Sequence, residues 1–234
     1  MTNYYTNVFT IGNNVRVRSI ENDERIRYSE EYKPTIFIPT KEETKYKTIH
    51  GEPVGKIRPG TIRDCRKFME RYKNVENFSV YGYTDWSHQY IGDKFFGCDF
   101  DLSKIRICTI DIEVASEEGF PTVDNVKEEL IAITIKDSLT KCRFVLGRQP
   151  VDVSDENTKY ICCPTELELF EKFLEVWNVL QPDIITGWNS KLYDIPYLVR
   201  RMDRVMGDGT SKKMSVWNYI RERTVKIMGR EEYV

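Results

Sequence analysis

Residues 183–207 read DIITGWNSKLYDIPYLVRRMDRVMG: a β-branched run, a turn and an apolar-periodic segment in immediate succession. Ile184 to Thr186 suit a short strand, and Gly187-Trp188-Asn189 break it. A helix then starts near Ile195, because Ile195, Leu198, Val199, Met202, Val205 and Met206 share one face; Pro196 suits its first turn and Gly207 its end. Upstream, Thr165-x-x-Glu168 fits a capping box, and Leu167, Phe170, Phe173, Leu174, Trp177 and Leu180 keep a 3.6 period until Gln181-Pro182 stops the helix. Ile105 to Val114, Leu130 to Lys136 and Arg143 to Leu146 read as three earlier strands. The order strand, strand, strand, helix, strand, helix predicts an α/β fold with helices against a sheet.

The first hundred residues have a different texture. Short runs rich in Tyr, Thr, Val and Ile alternate with turn formers such as Asn13-Asn14, Asn22-Asp23 and Pro59-Gly60. One helix is predicted there, from Thr61 to about Lys73, on the spacing of Ile62, Cys65, Phe68, Met69 and Tyr72. We therefore expect two domains, a β-rich one over 1–103 and the α/β one over 104–234.

The chain has 234 residues, 40% apolar and 31% charged, which supports a packed core and excludes a disordered or low-complexity polymer. No apolar run approaches the roughly 18 residues needed to span a bilayer, and Met1 to Tyr5 lack a signal-peptide stretch. The expectation is a cytoplasmic protein without a membrane partner. Its six cysteines contain no C-x-x-C pair and there are two histidines, so they read as reduced, mostly buried thiols and not as a structural zinc site. The formal charge is −2, but it is unevenly spread: +2 over 1–100, −8 over 101–199 and +4 over 200–234. Unequal solvated faces would give this pattern, and so would a carboxylate-rich metal site beside a phosphate-contacting tail.

Asp111-Ile112-Glu113 lies within the first of the α/β strands, so both carboxylates point to one face. Two such groups repel unless a cation lies between them, and a hard divalent ion with oxygen ligands, Mg²⁺ or Mn²⁺, is the natural partner. At ~6% each for Asp and Glu, a D-x-E triplet arises roughly once by chance in a chain this long, so the pair alone decides little. Asp194 precedes the second helix, where it serves either as an N-terminal cap or, if its strand neighbours that of Asp111, as a partner facing the pair.

Ile110-Asp111-Ile112-Glu113-Val114 resembles the first exonuclease motif of family B DNA polymerases, and Gly187 to Tyr197 resembles the second. Requiring Gly, Trp, Asn, Asp, Pro and Tyr at six set positions has a chance probability below about one in ten million per site. Gly119-Phe120-Pro121, Ile131-Ala132-Ile133-Thr134-x-x-Asp137-Ser138, Glu31-Tyr32-x-Pro34-Thr35-x-Phe37 and Lys41-Glu42-Glu43-x-Lys45-Tyr46-Lys47 resemble the T-even-type bacteriophage branch of that family.

The resemblance implies a β-rich N-terminal domain followed by a ribonuclease-H-like 3′-to-5′ proofreading exonuclease domain, with a mixed sheet and flanking helices. It implies a two-metal site in which Asp111 ligates both Mg²⁺ or Mn²⁺ ions, Glu113 one, and Asp194 the second, directly or through water. One ion activates water and the other stabilises the leaving 3′-oxygen of single-stranded DNA. By position, Phe120 stacks on an unpaired base near the primer end or is buried before Pro121. Asn189 and Tyr193 shape the site, with core packing the plainer role for Tyr193. Arg221, Arg223 and Lys226 fall where the phage branch has a β-hairpin that helps separate primer from template.

The family's third exonuclease motif, with a tyrosine and another aspartate, lies further downstream than Val234, as do palm, fingers, thumb and the polymerase active site. The exonuclease domain is thus expected to be incomplete here, its metal site short of a ligand, and its activity weak unless a downstream polymerase segment or subunit supplies the rest. The alternatives are a non-catalytic nucleic-acid-binding or assembly subunit of a split polymerase, and a free-standing ribonuclease-H-like nuclease.

Overall fold

The computed structural model describes residues 3–116, 119–227 and 230–233. They form two compact units that meet in sequence between Asp101 and Leu102.

The first unit opens with an antiparallel meander of β1 (Asn3–Ile11), β2 (Asn14–Glu21) and β3 (Glu24–Glu31). Asn22 and Asp23 between the last two both have positive φ, 51° and 69°, as a tight two-residue hairpin turn demands. A second antiparallel pair, β4 (Ile36–Pro39) and β5 (Val54–Ile57), leads into helix α1 (Ile62–Tyr72). Thr61 and Asp64 close a capping box on α1, satisfying main-chain donors at its start. Val15, Val17, Tyr32, Ile36, Ile62, Cys65, Trp86 and Tyr90 make the core.

One element of this unit departs from the sequence expectation. Helix α2 (Trp86–Lys94) is capped by the Asp85 carboxylate, which accepts the Ser87 and His88 amides. It buries only Trp86 and Tyr90, one turn apart, too sparse a stripe to announce itself against its strand-rich surroundings.

The second unit is a five-stranded mixed sheet with its helices on one face. β6 (Ile107–Val114), β7 (Leu130–Asp137) and β8 (Arg143–Gly147) run antiparallel in turn, β9 (Thr158–Cys162) lies parallel to β8, and β10 (Ile184–Thr186) lies parallel to β6. The order is β10-β6-β7-β8-β9. β9 is a strand the sequence reading did not include. Its partly covered residues, Thr158, Tyr160 and Ile161, fall on both faces beside exposed neighbours and give little apolar alternation.

Helix α3 (Glu166–Leu180) starts at the predicted capping box of Thr165 and Glu168 and stops at Gln181, in the left-handed region at φ 44°, before Pro182. Its buried stripe is Leu169, Phe170, Phe173, Leu174, Trp177 and Leu180; Leu167, assigned to that stripe by spacing, is exposed. Together with Tyr197, Leu198 and Met202 of helix α4 (Asp194–Met206), the stripe covers Cys108, Ile110, Ile112, Ile133, Ile135 and Leu146 of the sheet.

Helix α4 is rotated from its predicted pose. The buried positions are Asp194, Tyr197, Leu198, Arg201 and Met202, whereas Ile195, Val199, Val205 and Met206 are only partly covered. Polar groups occupy the inner face because each finds partners there, which an apolar count cannot register.

β11 (Thr224–Ile227) pairs antiparallel with β12 (Arg230–Tyr233). All six thiols are free: Cys65, Cys108 and Cys163 are buried and Cys162 is exposed, so half and not most of them are core groups. Among the described residues, no helix is long and apolar enough to cross a membrane.

Candidate active site

Alternation along β6 puts Cys108, Ile110 and Ile112 in the core and leaves Thr109, Asp111 and Glu113 exposed on the opposite face. In register, Asp111 stands beside Thr134 and Glu113 beside Ala132 of β7, small neighbours that leave the carboxylates uncovered.

The chain reaches the same place from β10. That strand pairs with β6 only from Ile107 to Thr109, so the main chain of Ile112 lies past the end of the ladder. Gly187 makes the exit possible. A Cβ there would sit 2.5 Å from the Ile110 carbonyl oxygen and 3.0 Å from Ser190 Cβ. The turn is closed by the Asn189 carbonyl, which accepts the Leu192 and Tyr193 amides at 3.1 and 2.8 Å, and Asp194 then opens α4.

Asp194 is not the cap. Tyr193 holds that position without a side-chain cap bond, and Asp194 is the first helical residue, buried at 5% exposure. The main-chain N–H groups of Asp194 itself and Ile112 favour its ionised form. Burial, then the negative charge of Asp111 and more weakly that of Glu113, push its carboxyl above the usual range, outweighing those donors. The sequence reading that Asp194 converges on the β6 pair thus has an electrostatic counterpart.

Tyr193 connects the carboxylates to an aromatic row. Its phenol is pushed up to about 12 by burial, then by Tyr197, Asp194 and Glu113. Its ring lies 5.3 Å from that of Phe120 and 5.6 Å from that of Tyr197. Phe120 is 80% exposed, which overturns the buried-aromatic alternative. Asn189, Arg221 and Arg223 are exposed, and Arg221 borders a cavity of about 340 Å³ against Ile185, Ile195 and Val199.

The loop bearing Phe120 is clamped to α4 by main-chain acceptors. Arg200 Nη1 donates to the Val123 carbonyl, Arg204 Nη1 to Asn125, Arg201 Nη1 to Val126 and Lys127, and the Tyr197 hydroxyl to Glu128. Val126 is held at φ 37°, a costly conformation for a β-branched residue. Beneath the clamp, Arg201 Nε and Nη2 donate to Glu166 at 2.8 and 2.7 Å, and the Leu130 amide donates to the same carboxylate at 2.8 Å. Sequence reasoning missed Glu166 and Arg201. Their signal was an arginine three and seven residues along from Leu198 and Asp194, on the inner side of a helix, which requires a buried acid.

The family model for the exonuclease domain of DNA polymerase family B matches residues 56–232. The chain belongs to this family. It is similar to the DNA-directed DNA polymerases of Escherichia phage RB69 and Enterobacteria phage T4, 28% and 27% identical over 97% of this chain. It spans 28% of the length of each of those relatives. The DNA polymerase delta catalytic subunit of Caenorhabditis elegans is 34% identical over 43% of this chain. The family B exonuclease match begins in β5 of the first unit and continues through the second.

Asp111, Glu113 and Asp194 offer oxygen donors only, the kind a hard divalent cation takes. Asp111 and Glu113 share a strand face, and burial, then the charge of Asp111, raises the Asp194 carboxyl. Among the described residues, no three acidic, His or Cys side chains gather closely enough to form a coordination shell by themselves.

Asp194 also has a stability consequence. A carboxyl whose folded pKa is raised stabilises the fold below its unfolded pKa, and that contribution is lost as pH rises through the folded value. In EDTA, Asp194→Asn should therefore melt higher than wild type at neutral pH, the gap closing as pH falls through the carboxylate range. Asparagine keeps an oxygen for the Ile112 amide. Thermal melts between acid and neutral pH check this; a gap independent of pH excludes the charge repulsion.

Proposed function

We propose that this chain carries the N-terminal and proofreading exonuclease portion of a phage-type DNA polymerase, acting on single-stranded DNA or a primer 3′ end in the cytoplasm of an infected cell. The observation that carries the reading is Asp194, brought from a separate chain segment to within electrostatic reach of Asp111 and Glu113. The one-sided mixed sheet supports a ribonuclease-H-like arrangement, with 1–103 as a distinct N-terminal domain.

Asp111, Glu113 and Asp194 would hold Mg²⁺ or Mn²⁺, which supplies Lewis acidity and lowers the pKa of water. Phe120, exposed and backed by Tyr193, offers a stacking face for the terminal base, a contact worth ~1 to 3 kcal/mol. The Tyr193 phenol, at about 12, remains protonated at neutral pH and is a hydrogen-bond donor, never a base. Arg221 and Arg223 meet the backbone of the strand. Hydrolysis of a 3′-labelled oligonucleotide by this chain alone should be near background, because no three acidic groups close on one point among the described residues. A downstream polymerase segment or subunit then completes the site.

Calorimetric titration with Mn²⁺ tests the assignment. We expect millimolar to micromolar binding by wild type and none by the Asp111→Ala, Glu113→Ala double variant. Identical heats would remove these residues from the site. DNA binding should prefer single strands, weaken with salt and fall in an Arg221→Ala, Arg223→Ala variant; equal affinity for duplex argues against a primer-end site.

A further inference from the structure

Residues 219–223 lead into β11 and belong to no helix or strand. Apolar packing does little to hold them, because Ile220 shares with Ile185, Ile195 and Val199 the lining of a cavity of about 340 Å³. Main-chain bonds do not hold them either. Among the described residues, the one hydrogen bond or ion pair that 219–223 make is between the Glu222 carboxylate and Arg200 Nη2. A segment with so few contacts opens readily when such a contact is lost.

The same guanidinium has a second partner. Arg200 Nη1 donates to the Val123 carbonyl at 3.0 Å, in the loop that bears Phe120. Separate nitrogens of one planar fork thus fasten the Phe120 loop and the root of the β11–β12 hairpin, where Arg221 and Arg223 flank Glu222. Tyr197, Arg201 and Arg204 also hold the loop, but none of them reaches 219–223. A lysine would be no substitute, because its donors sit on a single atom and cannot serve two partners in two directions as a rigid fork does.

We propose that Arg200 is a positioning residue for the end of the DNA strand. It sets the spacing between the Phe120 loop and the hairpin root, so that a strand whose backbone runs over Arg221 and Arg223 presents its terminal base to Phe120. This role rests on the proposed reading of those three residues as DNA contacts and adds the side chain that holds them in register. The coupling itself is a property of the fold and exists without DNA.

Two measurements test it. Chymotrypsin nicking after Tyr219, whose side chain is exposed, follows opening of the root in the DNA-free chain. Quenching of a 2-aminopurine at the 3′ end of a single-stranded oligonucleotide, bound in EDTA, follows the terminal base at Phe120. Arg200→Ala and Glu222→Ala should each speed nicking roughly two- to fivefold, the scale of a partly exposed ion pair, and the double variant should go no further than the faster single one. Glu222 is exposed, so Glu222→Ala keeps the fold and carries the test even if Arg200→Ala does not. Terminal quenching at saturating strand should fall roughly twofold or more in Arg200→Ala and less in Glu222→Ala, which keeps the bond to Val123. An internal 2-aminopurine should report the same in both. Arg200→Lys should restore at most one of the two signals. Recovery of both by lysine, nicking unchanged in Glu222→Ala, or effects that multiply in the double variant overturn the proposal. Terminal quenching that Phe120→Ala abolishes and Arg200→Ala leaves whole does so too. Quenching that survives Phe120→Ala instead removes the stacking role of Phe120, and the nicking rates, measured without DNA, still decide the Arg200 pair.

Discussion

Glu166→Ala should cost the second unit roughly 3 to 5 kcal/mol, because it strands the Arg201 guanidinium in the interior and leaves the Leu130 amide without its acceptor. Both side chains of the pair are under a tenth exposed, at 9% and 8%, so solvent does little to screen the loss. The melting temperature should fall by roughly 6 to 20 °C on the scale of a domain of this size. Arg201→Ala should be comparably damaging, since it frees the Val126 and Lys127 carbonyls as well as the acid. A double variant, Glu166→Met with Arg201→Met, should lose much less than the two single losses added together. Additive losses in that cycle would mean that the pair is not coupled.

Gly187→Ala should act at the junction of strand and site. The atom in the way, 2.5 Å from the new Cβ, is a main-chain carbonyl of β6 that cannot swing aside as a side-chain tip can. Either the turn or β6 must move, at an overpacking cost on the order of 1 to 3 kcal/mol. The displaced turn carries Tyr193 and Asp194 with it. We therefore expect Gly187→Ala to weaken Mn²⁺ binding as well as stability, whereas Trp188→Ala, next in sequence and fully exposed, should change neither. Wild-type Mn²⁺ heats from Gly187→Ala would show that the turn does not set the carboxylate geometry.

These two sites differ in how readily they could be read from the sequence. The capping box of Thr165 and Glu168 and the strands around Asp111 and Asp137 follow from period and cap chemistry. Family membership was legible in the Gly187 to Tyr197 motif, since six defined residue types in eleven positions leave little room for chance. The orientation of α4 was not legible. Its inner face is chosen by Tyr197 and Arg201 finding the Glu128 carbonyl and the Glu166 carboxylate, partners 69 and 35 residues away in sequence. Phe120 was ambiguous because an aromatic before proline suits a core or a surface equally, and only the position of Tyr193 beneath it decides. β9 and α2 were missed where half-exposed elements carry too few apolar residues to generate a period.

The hydrogen bonds of the α4 clamp reach the loop before β7 at its carbonyl oxygens. Every residue presents the same carbonyl acceptor whatever its side chain, so Val123, Asn125, Lys127 and Glu128 can be exchanged without removing an acceptor of one of those bonds. Shape and surface are therefore inherited separately. Substitutions at 124, 125, 127 and 128 can retune the charge and bulk beside Phe120 while the path of the chain stays encoded in Tyr197, Arg200, Arg201 and Arg204. A library randomised over 124, 125, 127 and 128 should retain the fold in most of its members, and one randomised over those four helix positions should lose it in most.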